Sequence, residues 1–123
     1  MKIARLFNDE NGRSHFEDVE IELQLTDYVP PAAPLYLSAN RPADEVGFMQ
    51  APAGWSSDWH PSSARNLFFV LSGEWEVSAS DGESRAFAVG SSLLVEDTEG
   101  EGHASRVTSK GDSLVAMVRL ARE

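Results

Sequence analysis

Alternation of apolar and polar residues between closely spaced turns is the feature of this sequence that most restricts its fold. Every second residue is apolar over residues 19–25 and again over residues 75–79, and polar residues stand between them. A period of two places the apolar side chains on one face and is typical of a half-buried strand. No stretch shows the helical period. The sequence therefore predicts an all-β domain.

Glycine-containing turns separate these segments. Asp81-Gly82 lies between residues 75–79 and 85–89, and it predicts a two-residue hairpin because both central residues of the favoured turn need positive φ. Residues 28–34 hold three of the six prolines and predict a connecting loop. Further breaks fall at Asn11-Gly12, Ser72-Gly73, Val89-Gly90 and Lys110-Gly111. Many short strands with such turns predict a sandwich or a closed barrel.

One segment, residues 67–71, is apolar on both faces, and the last predicted strand, residues 113–120, is nearly as apolar. A strand of this kind is covered on both sides. We expect the barrel core on one side and a second sheet or a partner subunit on the other. A homodimer is therefore the expected assembly.

Composition limits the class of protein. A chain of 123 residues is about one domain long. Its net charge of −10 argues against nucleic acid or an anionic membrane as the main partner. The absence of cysteine excludes disulfides, thiolate metal sites and a cysteine nucleophile. No apolar leader or run of about 20 apolar residues is present, so we expect a cytoplasmic protein.

A first motif begins at Gly54 and continues through His60, Ser62, Asn66 and Gly73. This spacing resembles the first motif of the cupin superfamily, G-x5-H-x-H-x3/4-E-x6-G. Ser62 stands where the second histidine would be, and Asn66 stands where the glutamate would be. The resemblance implies an antiparallel jelly-roll β-barrel that occupies residues 1–123, with the first motif at about 54–73.

The second cupin motif, G-x5-P-x-G-x2-H-x3-N, is similar to residues 90–107. Gly90 and His103 are present, Glu96 replaces the proline and Val107 replaces the asparagine. The loop before His103 is acidic and rich in glycine. In this it resembles a subgroup of small cupins whose function is unknown.

In metal-binding cupins the resemblance implies three histidines and one carboxylate inside the barrel, a set suited to iron, zinc, nickel or manganese. Only His60 and His103 remain here, and two imidazoles alone make a weak site. The donors that could complete it are Glu96 and Asp97 on the loop before His103, and His15 on an early segment. Glu96 and Asp97 could instead belong to a solvated acidic loop, and His15 could be an exposed or core histidine.

Without a metal, His60 and His103 facing one cavity could act as general acid and base on a small substrate. They could also only line a binding pocket, since a fold does not fix a function. Asn66, Phe68 and Val70 should share one strand face, so Asn66 and Ser62 could orient a ligand against an apolar wall.

Other side chains near this pocket have two interpretations. Trp59 and Trp55 could line or cover its mouth, although packing is the commoner role of tryptophan. Arg106 could bind a carboxylate or phosphate group, or it could be exposed or paired with an acid. We expect Trp75 to belong to the core.

Three functions stay open at this point. The first is a small-molecule-binding cupin that uses His60 and His103 in acid–base chemistry. The second is a metal-dependent cupin, such as a dioxygenase or isomerase, with the same histidines as ligands. The third is a non-catalytic binding or sensing module. No glycine-rich phosphate loop and no Gly-x-Ser-x-Gly elbow occur in the sequence.

Overall fold

The computed structural model describes residues 1–122 and forms eleven strands there, without a helix. The all-β prediction is thereby confirmed. That part of the chain contains no helix long and apolar enough to cross a membrane. The strands are β1 (Lys2–Asn8), β2 (Ser14–Glu20), β3 (Gln24–Thr26), β4 (Leu35–Leu37), β5 (Ala43–Ala51), β6 (Asn66–Ser72), β7 (Trp75–Ala79), β8 (Ser84–Phe87), β9 (Ser92–Glu96), β10 (His103–Val107) and β11 (Ser113–Leu120).

Nine of these strands form two sheets. The larger sheet has the order β2-β1-β9-β6-β11-β5, and the smaller has the order β10-β7-β8. From β6 onward the chain passes back and forth between the sheets, as in a jelly roll. The pairing is antiparallel except between β1 and β9, which run parallel. The sheet is therefore mixed at this one junction, where the N-terminal hairpin joins it.

The hairpin at Asp81-Gly82 exists, but its turn differs from the predicted one. The backbone N–H of Ala79 donates to Glu83 O at 2.8 Å, and that of Gly82 donates to Ala79 O at 3.1 Å. The loop is thus a type I turn followed by a left-handed glycine, with φ of 101° at Gly82 and no positive φ at Asp81. The Asp81 carboxylate favours this form by accepting the Glu83 N–H at 2.9 Å.

The prediction of a single strand over residues 19–25 is wrong. Strand β2 ends at Glu20 because its partner, β1, begins at Lys2. The chain then leaves the sheet, and Leu25 lies on the separate two-stranded sheet β3–β4, where it is exposed. Residues 28–34 fall in the connection between β3 and β4, which confirms the loop predicted there.

The larger sheet has an inner face that packs on the smaller sheet and an outer face that points away from it. The main core lies between the sheets and includes Leu6, Val70, Trp75 and Val95. Trp75 is 7% exposed, which confirms the prediction that it belongs to the core. A second, smaller core contains Ile3, Leu94 and Leu120, with Val19, Ile21 and Leu67 packed against it.

Strand β6 does not have the two-sided cover that its sequence predicts. Its inner residue Val70 is buried, but Leu71 on the outer side is 51% exposed. Leu114 on the neighbouring β11 and Phe48 on β5, the strand beyond it, are also exposed. The chain itself therefore leaves this part of the outer face uncovered.

Candidate functional site

A cavity of about 210 Å³ opens between the two sheets. Its walls are mostly apolar, with aromatic, aliphatic and methionine side chains from both sheets. Among the described residues, its polar lining consists of two histidines and two serines, and no Asp, Glu, Lys or Arg contributes to it. The lining residues are Met49, Trp55, His60, Phe68, Val70, Trp75, Val77, Phe87, Ser91, Leu93, Val95, His103, Ser105, Val115 and Met117.

Both histidines of the predicted site face this cavity as a pair. The backbones of His60 and His103 form an isolated antiparallel bridge, in which each N–H donates to the other residue's carbonyl at 2.9–3.0 Å. Directly opposed residues of an antiparallel pair place their side chains on the same face. The imidazole rings accordingly lie with their centroids 4.7 Å apart. His60 is exposed at the mouth, and His103 lies deeper.

A buried carboxylate lies behind His103. Asp97 is fully buried, and its Oδ2 is 2.6 Å from Nδ1 of His103. The other oxygen, Oδ1, is also buried and has no hydrogen-bond partner. A buried charge is costly unless it is paired, so the contact with His103 is the principal compensation for the Asp97 side chain.

The partners of the two Nδ1 atoms determine which ring nitrogens remain available. Nδ1 of His60 is 2.8 Å from the backbone carbonyl of Asp58, which can only accept, so the hydrogen of neutral His60 lies on Nδ1. A carboxylate of Asp97 that accepts this hydrogen bond places the hydrogen of His103 on Nδ1 as well. Each ring therefore has Nε2 available to accept a proton or a hydrogen bond.

Glycines hold the loop before His103 against its neighbours. Gly102 has φ of 75°, and a Cβ on it would overlap the backbone of His60 and Pro61. A Cβ on Gly100 would overlap Gly12 in the turn between β1 and β2 in the same way. The buried Ser14 hydroxyl donates to Gly102 O at 2.7 Å. Close backbone contacts on both sides therefore hold this loop in place, and this fixes the position of His103.

Several solved structures are similar to this chain. A protein of unknown function from Rhizobium leguminosarum bv. viciae 3841 is 21% identical, with a TM-score of 0.53 over 63% of this chain and 69% of that one. CENP-C of Drosophila melanogaster, in its structure bound to CAL1, is 11% identical, with a TM-score of 0.52 over 80% of this chain and 79% of that one. A cupin domain from Bordetella pertussis Tohama I is 17% identical, with a TM-score of 0.49 over 69% and 100% of the two chains.

The two facing sheets and the cavity between them agree with the first two of these likenesses, which concern the fold alone. The all-β jelly roll that the resemblance to cupins implies is thereby confirmed. No protein-family model matches the sequence, and no curated protein matches it. The chemistry therefore has to be derived from this chain's own residues.

Of the residues predicted from the sequence to bind a ligand, Phe68 lines the cavity and four others do not. Trp59 is 52% exposed, and the neighbouring Trp55 lines the wall in its place. The Ser62 hydroxyl donates to Ala64 O at 2.6 Å, and the Asn66 amide donates to the same carbonyl at 3.2 Å. Local backbone bonds thus turn these two side chains away from the cavity.

Arg106 is the fourth of these residues. It is exposed, and its Nε forms an ion pair with Glu76 at 3.0 Å on the neighbouring strand. Arg106 follows the cavity-lining Ser105 in β10, so it points to the opposite face of the smaller sheet. The structure thus gives it a partner on the surface.

The sequence suggested Glu96 and His15 as additional metal ligands. In the structure each binds other charged side chains instead. Glu96 follows the cavity-lining Val95 and points to the outer face, where Arg5 and Arg65 bind its carboxylate. Burial alone would raise the pKa of Glu96, but these hydrogen bonds hold that pKa below its ordinary value. His15 lies between Asp9 and Asp81 in the hairpin loops.

The side chains of this site do not fit the metal centre of metal-binding cupins. Within residues 1–122, no three His, Asp or Glu side chains are grouped so that they could hold a metal ion. The cavity offers two imidazoles and two hydroxyls, and Nδ1 of His103 is already bonded to the one nearby carboxylate. A catalytic zinc site usually has three protein ligands of the imidazole, thiolate or carboxylate type. We therefore derive no step through a metal.

The role of Asp97 in orienting His103 is the feature that sequence reasoning missed. Asp97 was a candidate only as a metal donor, because its sequence neighbours suggest an exposed acidic loop. The sequence signal that could have indicated this contact is the pair of glycines Gly100 and Gly102. Two glycines so close to a histidine indicate a tight backbone approach, which brings the preceding residues inward.

Proposed function

We propose that this cupin binds a small, mainly apolar molecule in its cavity and exchanges a proton with that molecule's polar group through His103. The observation that carries the proposal is the buried Asp97 carboxylate, whose Oδ2 contacts Nδ1 of His103 at 2.6 Å while Oδ1 has no partner. Such a carboxylate orients an imidazole and stabilises it when it gains a proton.

The cavity limits the class of ligand. Its volume of about 210 Å³ lies below the roughly 300–1,000 Å³ of typical drug-sized pockets. At about 30 Å³ per water-sized group, this space holds fewer than roughly ten non-hydrogen atoms. No charged side chain among the described residues lines the walls, so a neutral molecule is favoured over a charged one. Its polar group would lie between the Nε2 atoms of the two histidines.

The two histidines differ in what supports them. When His103 accepts a proton at Nε2, its Nδ1–H remains bonded to Asp97 and the pair becomes a buried ion pair. His60 has only the Asp58 carbonyl behind it and lies at the exposed mouth. We therefore assign proton gain and return to His103. His60 lies beside the ligand's polar group and can accept its hydrogen bond before the proton moves to His103.

Thermal-shift screening with small neutral aromatic and aliphatic alcohols, phenols and carbonyl compounds tests the binding step. A ligand present at 100 times its Kd stabilises the folded state by about 2.7 kcal/mol. We expect stabilisation by such compounds but not by carboxylates of similar size. A stronger response to the carboxylates would contradict the proposed ligand class.

Three variants then separate binding from proton transfer. Each binding compound is incubated in deuterated water with wild type, His103→Gln, Asp97→Asn and His15→Gln, and exchange of carbon-bound hydrogen, or isomerisation, is followed by NMR. We expect turnover to be lost in the first two variants and kept in the third, whose histidine lies outside the cavity. Ligand stabilisation without turnover in wild type would make the protein a binding module instead.

A further inference from the structure

One part of the chain, residues 22–41, forms a hairpin arm that carries β3 and β4. Six of its seven large apolar side chains are exposed, and Leu25 and Tyr36, paired across the hairpin, are more than 60% exposed. They are Leu23, Leu25, Tyr28, Val29, Leu35 and Tyr36. Hairpins with such short strands are at best marginally stable alone in water. The arm therefore needs a surface to pack on.

The arm does not obtain that surface from its own barrel. Among the described residues, the hydrogen bonds of the arm lie within the arm itself, as in the pairing of β3 with β4 and the bond from Ala32 N–H to Val29 O. The chain is anchored just before the arm, where Ile21 N–H donates to Met1 O. It is anchored again just after the arm, where Ala121 N–H donates to Pro42 O.

A matching surface exists on the outer face of the larger sheet. Cross-strand pairing places Phe48, Ala116 and Phe69 in one row and Val46, Val118 and Leu67 in the next. The exposed members of this outer apolar patch are Val46 and Phe48 on β5, Leu71 on β6 and Leu114 on β11, with Phe48 75% exposed. The β6 segment of this patch is the one whose sequence predicts cover on both sides.

We propose that the protein forms a two-fold symmetric dimer in which the hairpin arm of each copy covers the outer apolar patch of the other. A reciprocal exchange of this kind covers both surfaces at once and satisfies the closed symmetry of a homodimer. It does not depend on the function proposed for the cavity.

The area of the two surfaces agrees with a stable dimer. Six arm residues and four patch residues, each at least 40% exposed, present on the order of 1,000 Å² of apolar side chain per copy. A standard protein interface buries about 800 Å² per partner. A lone exposed patch on a monomer is usually about 300–600 Å².

Charge also favours contact through the arm. The chain has a net charge of −10, so two copies repel each other over most of their surfaces. The arm contains only three charged residues, Glu22, Asp27 and Arg41, and contributes a net charge of −1. It can therefore approach a second copy with little of this repulsion.

Because the chain lacks cysteine, single cysteines report the contact directly. Gln24→Cys labels the arm and Gln50→Cys labels the edge of the patch, and neither removes an apolar residue. We expect a short flexible bismaleimide to link the two variants when they are mixed, giving a product of twice the monomer mass. Linking by Gln50→Cys alone would show face-to-face packing. In a variant that carries both cysteines, a link within one chain would show that the arm covers its own patch. Either result would overturn the proposal.

Light scattering after size-exclusion chromatography provides the second test. We expect wild type to be a dimer, and Phe48→Asp and Leu25→Asp each to weaken dimerisation by on the order of 100-fold. Val89→Asp is the matched control, because Val89 is 65% exposed but lies between β8 and β9, outside both surfaces. A monomeric wild type, or equal loss of dimer in the control, would refute the exchange. Circular dichroism checks that each variant is folded.

Discussion

Replacing Gly102 by alanine tests whether this loop lies as close to His60 as the structure places it. Gly102 has φ of 75°, and a Cβ there would overlap the backbone of His60 and Pro61. Gly54 is the matched control, because its φ is 78° and a Cβ on it would have no neighbour within 4 Å. Both variants place an L residue in the left-handed region, and only Gly102→Ala also creates an overlap.

The expected costs follow from this difference. Left-handed backbone costs an alanine about 1–2 kcal/mol, which is the whole expected loss for Gly54→Ala. Overlap with fixed backbone adds about 1–3 kcal/mol, so Gly102→Ala should lose roughly 2–5 kcal/mol. Most domains have about 5–15 kcal/mol of stability, so the variant should still fold.

Urea denaturation of the two variants and wild type measures these losses. At about 4 °C per kcal/mol for a domain of this size, Gly54→Ala should melt roughly 4–8 °C lower and Gly102→Ala roughly 8–20 °C lower. Equal losses in the two variants would mean that His60 and His103 are not held together by this contact. The reasoning about the site would then fail at its first step.

Other side chains give further predictions. The hydrogen bond between His15 and Asp9 is the largest cause both of the raised pKa of His15 and of the lowered pKa of Asp9. His15→Gln should therefore lower the melting temperature at pH 5–6, with a difference that narrows as pH rises through the raised pKa of His15 or falls through the lowered pKa of Asp9. Ser113→Ala removes the acceptor of the buried Trp75 indole N–H, bonded at 2.7 Å, and should cost about 2 kcal/mol in urea denaturation. Glu96→Gln leaves two arginines without their carboxylate and should cost about 1–3 kcal/mol at pH 7, with a smaller difference at low pH, where wild-type Glu96 also becomes neutral.

Local patterns in the sequence were sufficient for much of the fold. The alternation in β7 places Trp75, Val77 and Ala79 in the core, because a period of two leaves only one face for them. The same rule puts Phe68 and Val70 on the cavity wall. These features depend on neighbours within one strand, so the sequence contains them.

Features that depend on where strands end could not be predicted in this way. The alternation of residues 19–25 continues past Glu20, yet the paired ladder ends at Glu20, opposite Lys2 at the start of β1. Asn66 lies on the predicted face, opposite Val95, but its amide bonds to Ala64 O and leaves the cavity. Such outcomes depend on partners that are distant in sequence or on competing backbone bonds.

Asp97 shows how function and stability separate in this fold. A residue selected only for packing at a fully buried position would be apolar, or polar with every atom bonded. Asp97 instead leaves Oδ1 buried without a partner and uses Oδ2 on His103 alone. The unpaired oxygen costs stability, and under the proposed function part of this cost is offset when His103 gains a proton and pairs with the carboxylate. A carboxylate placed against this histidine alone is what the proposed proton transfer through His103 requires.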